Sequence, residues 1–185
     1  MNIIYRPAET DDDFEQILSL QKNNLYTIIS QEVQDREGFV FAEHDIEKLK
    51  FMSGRVPQIV ATADNRVVGY TLAMTPSMKN HIPSLTPMFE QFDQCLYKGH
   101  PLISFHFVVG GQVCVAEGYR GMGIVSGLYH ALARHVDAKY SVCVTEIARR
   151  NPRSLKAHQK MGFKIINTYP AQSEIWDVVA WDMTR

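Results

Sequence analysis

Residues 113–133 read VCVAEGYRGMGIVSGLYHALA, a β-branched segment that leads through a glycine-rich turn into an amphipathic segment. The Val-Cys-Val start favours a strand. Beyond the turn, apolar residues recur at helical spacing, at Ile124, Leu128, Leu132 and Val136. The stretch therefore predicts a strand, a tight turn and a helix. With further strands on both sides, the pattern predicts a mixed α/β fold.

The glycine turn, Arg120 to Ser126, is a candidate anion site. A helix N-terminus presents unpaired N–H groups and a partial positive charge, and residues without Cβ let an anion come close. Phosphate is the natural ligand, with Arg120 as a nearby cation. A plain strand-to-helix turn explains the glycines equally well. The sequence lacks G-x-x-x-x-G-K-[ST] and the six-residue G-x-G-x-x-G, which excludes two other phosphate loops.

Residues 151–163, NPRSLKAHQKMGF, predict a short helix. Asn151 suits the N-cap, Pro152 the first helical position and Gly162 the left-handed C-terminal position. Ser154 and His158 are four residues apart and share a face. Taken alone, an ordinary surface helix with a solvated histidine is the simpler interpretation.

The flanking sequence predicts the rest of the sheet. Residues 3–8 indicate a strand, and Thr10 is a candidate cap for the helix that follows. A helical stretch between Leu25 and Met52 is broken near Gly38. Two strands meet at an Asp64-Asn65 turn. Residues 101–109, PLISFHFVV, predict a strand from their alternation, and residues 141–148, 163–169 and 174–182 predict three more. The prolines of segment 76–101 predict an irregular stretch with one short helix.

Together the two motifs resemble those of the GCN5-related N-acetyltransferases. The acetyl-CoA motif of that family has the core R/Q-x-x-G-x-G/A, matched from Arg120, and the following motif runs Asn, small residue, aromatic, Gly-Phe. The clear match covers residues 111–163. Three departures stand out: Val125 replaces a glycine or alanine, His158 replaces a frequent tyrosine, and segment 76–101 is longer than the usual hairpin.

The resemblance implies a mixed, splayed, largely antiparallel sheet flanked by helices, the acyl-CoA N-acyltransferase fold. Residues 1–185 would be a single domain, with 76–101 inserted between the third and fourth strands, and coenzyme A would lie between the fourth and fifth. The implied activity is direct transfer of an acetyl group from acetyl-CoA, the co-substrate, to a primary amine of a small molecule or peptide.

The resemblance also implies roles for individual residues. The backbones of Val113 and Val115 would bind the pantetheine arm, and Asn151 and Ser154 would line it. His158 would give a proton to the departing thiolate. The general base is predicted to be Glu146, ahead of two alternatives, Glu117 and His106. The pyrophosphate would be held by the loop residues Arg120, Gly121, Met122, Gly123, Ile124, Val125 and Ser126.

The sequence argues against a nucleic-acid binder, a membrane or secreted protein, and a metal site. A net charge of −1 over 185 residues gives no basic stripe for nucleic acid. No apolar stretch suits a membrane span and the N-terminus lacks a signal peptide, so we expect the cytoplasm. The three cysteines and seven histidines lack metal-ligand spacing, so no metal is expected.

Several hypotheses stay open at this stage. A catalytically degenerate coenzyme A-binding module is the main alternative, because the usual tyrosine is missing. A second is a cysteine acyltransferase or hydrolase using Cys114 or Cys143, although both are more typical of core thiols. Segment 76–101 suits a lid, a homodimer contact or a surface excursion equally well.

Overall fold

The structure is a computed structural model, and it describes residues 2–81, 85–171 and 173–184. Its strands are β1 (Ile4–Pro7), β2 (Ile59–Ala63), β3 (Arg66–Met74), β4 (Leu96–Tyr97), β5 (His100–Pro101), β6 (Phe107–Val115), β7 (Val142–Ala148), β8 (Lys164–Ala171) and β9 (Glu174–Asp182). Its α-helices are α1 (Asp11–Lys22), α2 (Gln31–Glu37), α3 (Ile46–Ser53), α4 (Thr86–Phe92), α5 (Ile124–His135) and α6 (Pro152–Met161).

Seven strands form one mixed sheet in the order β1-β2-β3-β6-β7-β9-β8, and β4 pairs with β5 in a separate hairpin. The predicted fold class is confirmed. The chain divides into two compact units. Unit 1 comprises the residues up to Ala73 together with 111–136, and unit 2 comprises 74–110 and the residues from Asp137 onward. The assignment of the whole chain to one domain stays a prediction.

Local signals explain the elements of unit 1. Thr10 caps α1: its side chain accepts a hydrogen bond from the Asp13 N–H, and the Asp13 carboxylate accepts one from the Thr10 N–H. Asp64 and Asn65 both adopt positive φ, as a two-residue hairpin turn between β2 and β3 requires. The helical stretch expected between Leu25 and Met52 is two helices, α2 and α3, and Gly38 ends the first.

A buried polar network ties four segments of unit 1 together through Gln112 on β6. The Gln112 Oε1 atom accepts from the Tyr70 hydroxyl at 2.6 Å and from Gln21 Nε2 at 2.8 Å. Its Nε2 atom donates to the Ala42 carbonyl at 2.7 Å. Gln21 in turn accepts from the His44 backbone N–H at 2.8 Å. Each of these bonds satisfies a polar group that would be costly to bury alone.

Helix α5 packs on β1 and β2 and buries the apolar face predicted from its spacing. Ile124, Leu128 and Leu132 are almost fully buried, and Val136 follows the last turn. Gly127 lies on the same helix directly against the Tyr5 ring of β1. A methyl group at Gly127 would overlap that ring, so the close contact requires a residue without a side chain.

Unit 2 is built on antiparallel pairing around β9. β9 pairs with β7 from Asp182 to Trp176 and with β8 on its other side. The beginning of β6 pairs in parallel with β7 through Phe107, Val108 and Val109. The strands predicted at residues 141–148, 163–169 and 174–182 are confirmed as β7, β8 and β9.

The strand predicted from Pro101 begins six residues later than expected. Residues 102–104 form a turn of 3-10 helix, and β6 starts only at Phe107. The β4–β5 hairpin, with Lys98 and Gly99 at positive φ, turns the chain back before this point. The Leu102 N–H then donates to the Cys95 carbonyl, so local hydrogen bonds override the apolar alternation.

The contact between Gly127 and Tyr5 predicts that the effect of Gly127→Ala on stability depends on the residue at position 5. In the wild type, the effect of Gly127→Ala on the free energy of unfolding should be about 1 kcal/mol less favourable than without the ring, because the outer atoms of the half-buried Tyr5 ring must move away from the new methyl group. In a Tyr5→Ala background the same change should stabilise by about 1 kcal/mol, since alanine favours helix. Urea unfolding of the four proteins measures both effects. Equal effects in the two backgrounds would contradict the contact.

Candidate cofactor and catalytic sites

The glycine loop of unit 1 has the backbone that an anion site needs. Gly121 and Gly123 have φ of +81° and +78°, and Gly123 is the left-handed N-cap of α5. Nothing lies within 4 Å of where a Cβ would stand at either residue. The first N–H groups of α5 lack acceptors within the helix, because i−4 bonding begins only with Gly127 to Gly123. The loop therefore offers amide donors at an open, electropositive helix end.

Arg120 is engaged within unit 1. Its guanidinium donates to Glu37 Oε2 at 2.9 Å, to Asn24 Oδ1 at 2.6 Å and to the Val115 carbonyl at 3.1 Å. The side chain is only 14% exposed. Arg120 thus fixes the start of the loop to α2 and to the end of α1. These bonds suit a role for Arg120 in positioning the loop. They make it less suited to bind the cofactor as a free cation.

Helix α6 of unit 2 begins and ends as predicted. The Asn151 side chain accepts from the Ser154 N–H at 3.3 Å, and Gly162 ends the helix at φ +102°. His158 is 2% exposed and packs edge-on against Phe163. It is therefore a core residue of unit 2 as well as a predicted site residue.

The protonation state of His158 bears on its predicted role. Its Nδ1 atom lies 2.8 Å from the Ser154 carbonyl, an acceptor only, so Nδ1 carries the proton of a neutral ring. Burial lowers the pKa of His158 to about 4, although the bond to Ser154 opposes the shift. An imidazolium donor is thus scarce at pH 7. The donor role stays a prediction, and this environment counts against it.

Glu146 has the environment of a general base. It lies half-buried on β7, and desolvation raises the pKa of its carboxyl to about 7. The Tyr169 hydroxyl of β8 donates to Glu146 Oε2 and partly offsets that rise. The alternatives lack such surroundings: Glu117 is exposed in a 3-10 turn, and His106 is exposed just before β6.

The cysteines have the environments of core thiols. Burial raises the pKa of Cys114 and of Cys143 to about 12, and it raises that of Cys95. A thiol in such a site is poorly nucleophilic near neutral pH. Among the described residues, no group of three or more histidine, cysteine or acidic side chains could hold a metal ion.

A family model described as "Acetyltransferase (GNAT) family" matches residues 16–163. The chain belongs to this acetyltransferase family. No curated protein matches the chain significantly.

Solved structures share the GNAT fold over nearly the whole chain. An N-acetyltransferase from Staphylococcus aureus Mu50 is 20% identical, with a TM-score of 0.64 and full coverage of both chains. The NatC complex bound to Gag peptide and CoA gives 15% identity and a TM-score of 0.66, also with full coverage. Salmonella typhimurium yncA with acetyl-CoA gives 15% and 0.63, covering 99% of this chain and 95% of the other. These similarities establish the fold.

Sequence reasoning missed Tyr169. Tyr169 lies on β8 and Glu146 lies on β7, with β9 between the two strands. The strand register places Tyr169 opposite Trp176 of β9 and Glu146 opposite Val178, and the two side chains meet in a hydrogen bond. The sequence carries no signal of that register.

No helix among the described parts of this GNAT chain is long and apolar enough to cross a membrane.

The bond from Tyr169 predicts a measurable change in the pKa of Glu146. Tyr169→Phe removes a donor that favours the carboxylate, so the pKa should rise above about 7. Carbon-13 NMR titration of the Glu146 carboxyl measures it. Thr168→Val is the matched control, because the neighbouring Thr168 hydroxyl donates to Asp177 instead and the pKa of Glu146 should not move. An unchanged pKa in Tyr169→Phe would refute the bond.

Proposed function

We propose that this chain transfers an acetyl group from acetyl-CoA directly to a primary amine of a small molecule or peptide. The observation that carries the proposal is the open glycine loop, with two left-handed residues at the start of α5. Family membership supports the acyltransferase class. We further propose the cytoplasm as its location.

The loop fits the pyrophosphate of coenzyme A. The backbone amides from Gly121 to Ser126 would donate to the phosphate oxygens, and the helix end would favour their charge. The absence of Cβ atoms at Gly121 and Gly123 would let the oxygens approach. The roles predicted for Asn151 and Ser154, and for the backbones of Val113 and Val115, stay predictions. Acetyl-CoA supplies the activated thioester.

Glu146 is the proposed general base. An ammonium group must lose a proton before its nitrogen can attack a carbonyl, and a base works best when its pKa lies near the working pH. A pKa of about 7 gives Glu146 that property, because the carboxylate is substantially present and still basic. The proton would pass to the carboxylate of Glu146, which accepts a hydrogen bond from the Tyr169 hydroxyl.

The properties of the cysteines and of the departing thiolate favour direct transfer over a covalent acyl-enzyme. Neither Cys114 nor Cys143, whose thiols have a pKa of about 12, suits a covalent acyl-enzyme. A departing thiolate with an ordinary thiol pKa of about 8.5 leaves without an obligatory acid. The neutral ring of His158 is therefore not required as a donor for the proposed reaction.

Cofactor binding is tested with two isosteric substitutions. Asparagine and aspartate both tolerate positive φ, so Gly123→Asn and Gly123→Asp differ mainly in one negative charge. Calorimetric titration should show that Gly123→Asp binds acetyl-CoA at least tenfold more weakly than Gly123→Asn, or about 1.4 kcal/mol. Acetyl-pantetheine, which lacks the pyrophosphate, should bind all forms alike.

Equal affinities of Gly123→Asn and Gly123→Asp for acetyl-CoA would mean that the loop is only a turn. Absence of acetyl-CoA binding by the wild type would contradict the proposal that the chain is an acetyltransferase. Binding without thiol release across a panel of amines would instead indicate the coenzyme A-binding module.

The base is tested by the pH dependence of turnover. Activity should rise with pH through about 7 in the wild type, because the ionised Glu146 carboxylate is the active form. Glu146→Gln should lower kcat/KM by about 10²–10⁴-fold and abolish this limb. Glu117→Gln is the control and should retain both. An acidic limb that persists in Glu146→Gln would assign the base elsewhere.

A further inference from the structure

Strand β8 contains a β-bulge close to the proposed base. Before the bulge, Ile165 lies opposite Val179 of β9. After the bulge, Asn167 lies opposite Val178. Two consecutive residues of β9 therefore lie opposite three residues of β8, and Ile166 is the extra one. A bulge of this kind bends the strand and leaves its extra residue unpaired.

The bulge decides which face of the sheet the Tyr169 side chain occupies. Opposite residues of antiparallel strands share a face, and a shift of one residue moves every later side chain to the other face. Tyr169 lies opposite Trp176. Glu146 lies opposite Val178, two residues further along β9, so Tyr169 and Glu146 share a face. In a strand of the same length without the bulge, Tyr169 would lie opposite Ile175 and point away from Glu146.

Hydrogen bonds on both faces of the sheet depend on this register. On one face, the Tyr169 hydroxyl donates to the Glu146 carboxylate. On the other face, the Thr168 hydroxyl donates to Asp177, its opposite residue in β9, at 2.6 Å. A regular strand of the same length would exchange the two faces and separate both pairs. The bulge therefore keeps both hydrogen bonds in place.

Asn167, the first residue after the bulge, is held on two sides. Its Oδ1 atom accepts from the Thr168 N–H at 2.9 Å, which ties together the two residues that follow the bulge. Its side chain also lies close to the Cys95 thiol: burial raises the pKa of Cys95, and Asn167 opposes that rise. Cys95 is itself held, because its thiol donates to the Gln91 carbonyl at 3.2 Å. Asn167 thus links the bulge to the inserted segment 76–101.

We propose that Asn167 is a positioning residue for the proposed acetyl transfer. It fixes the bulge that places the Tyr169 hydroxyl on the Glu146 carboxylate, and it acts only through Tyr169. The inference rests on the proposed function in taking Glu146 as the general base. The coupling of Asn167 to the Glu146 carboxyl is measurable without any substrate.

The pKa of the Glu146 carboxyl, measured by carbon-13 NMR on the full chain, tests the coupling. Asn167→Ala loosens the bulge and should raise this pKa by about 0.5, in the same direction as Tyr169→Phe, because the carboxylate loses its donor. The double variant should match Tyr169→Phe alone, since both changes remove one bond. Ile165→Val, at an exposed residue just before the bulge, is the control and should leave the pKa unchanged.

Deletion of Ile166 separates a role in the bulge from a general structural role. Without the extra residue, regular pairing keeps Tyr169 opposite Trp176, so the pKa of Glu146 should stay near its wild-type value. In that background Asn167→Ala should no longer change the pKa. If the deleted chain does not fold, the comparison of Asn167→Ala with Tyr169→Phe still decides.

Turnover separates this inference from the proposed function. Thiol release from acetyl-CoA, with the amine of a panel that reacts fastest, gives kcat/KM as a function of pH. With Glu146 as the base, Asn167→Ala should move the acidic limb upward by about 0.5 pH unit. At about pH 6 this lowers kcat/KM about threefold, and at about pH 9 it changes nothing.

An unchanged pKa of Glu146 in Asn167→Ala would overturn the role of Asn167, and so would effects of Asn167→Ala and Tyr169→Phe that simply add. An equal effect of Asn167→Ala in the chain lacking Ile166 would overturn the bulge as its cause. A raised pKa with an unmoved acidic limb would confirm the positioning and contradict only the proposed role of Glu146 as the base.

Discussion

The side chain of Gln112 joins α1, β3, β6 and the segment before α3, and the order of unit 1 depends on its hydrogen bonds. Its carbonyl oxygen accepts from Tyr70 and Gln21 while its amide donates to Ala42. Tyr70 is fully buried, and burial raises its pKa well above the usual value, so its hydroxyl stays neutral and needs an acceptor. Leaving such a group without a partner costs about 1–3 kcal/mol. The network therefore fixes where the segment from Phe39 to His44 must run.

Local chemistry could be predicted from the sequence, and long-range pairing could not. The Thr10 cap, the Asp64-Asn65 turn and the ends of α6 follow from residues only a few positions apart, and each was expected. The Gln112 network joins residues up to 91 positions apart. The strand expected from Pro101 was wrong at its start because a hairpin and a 3-10 turn supplied hydrogen bonds that apolar alternation does not reveal.

The site shows the same difference between local features, which the sequence predicts, and long-range features, which it does not. The glycine loop could be placed from sequence, since positive φ and a helix start are local properties. The state of each titratable group could not, because it depends on burial and on neighbours across the sheet. Glu146 and His158 were both candidates for proton transfer. Desolvation raises the pKa of the first towards neutrality and lowers that of the second, so one environment suits a base and the other disfavours an acid.

Arg120 links the opening of the glycine loop to α2 through Glu37 and to the end of α1 through Asn24. Transient opening of α2, a helix of only seven residues, breaks the ion pair that holds the loop. By thermodynamic reciprocity, an anion that orders the loop must also suppress that opening. Amide hydrogen exchange in α2 would then slow when the loop is occupied. The salt bridge between Arg120 and Glu37 would thus couple occupancy of the loop to the local stability of a neighbouring helix.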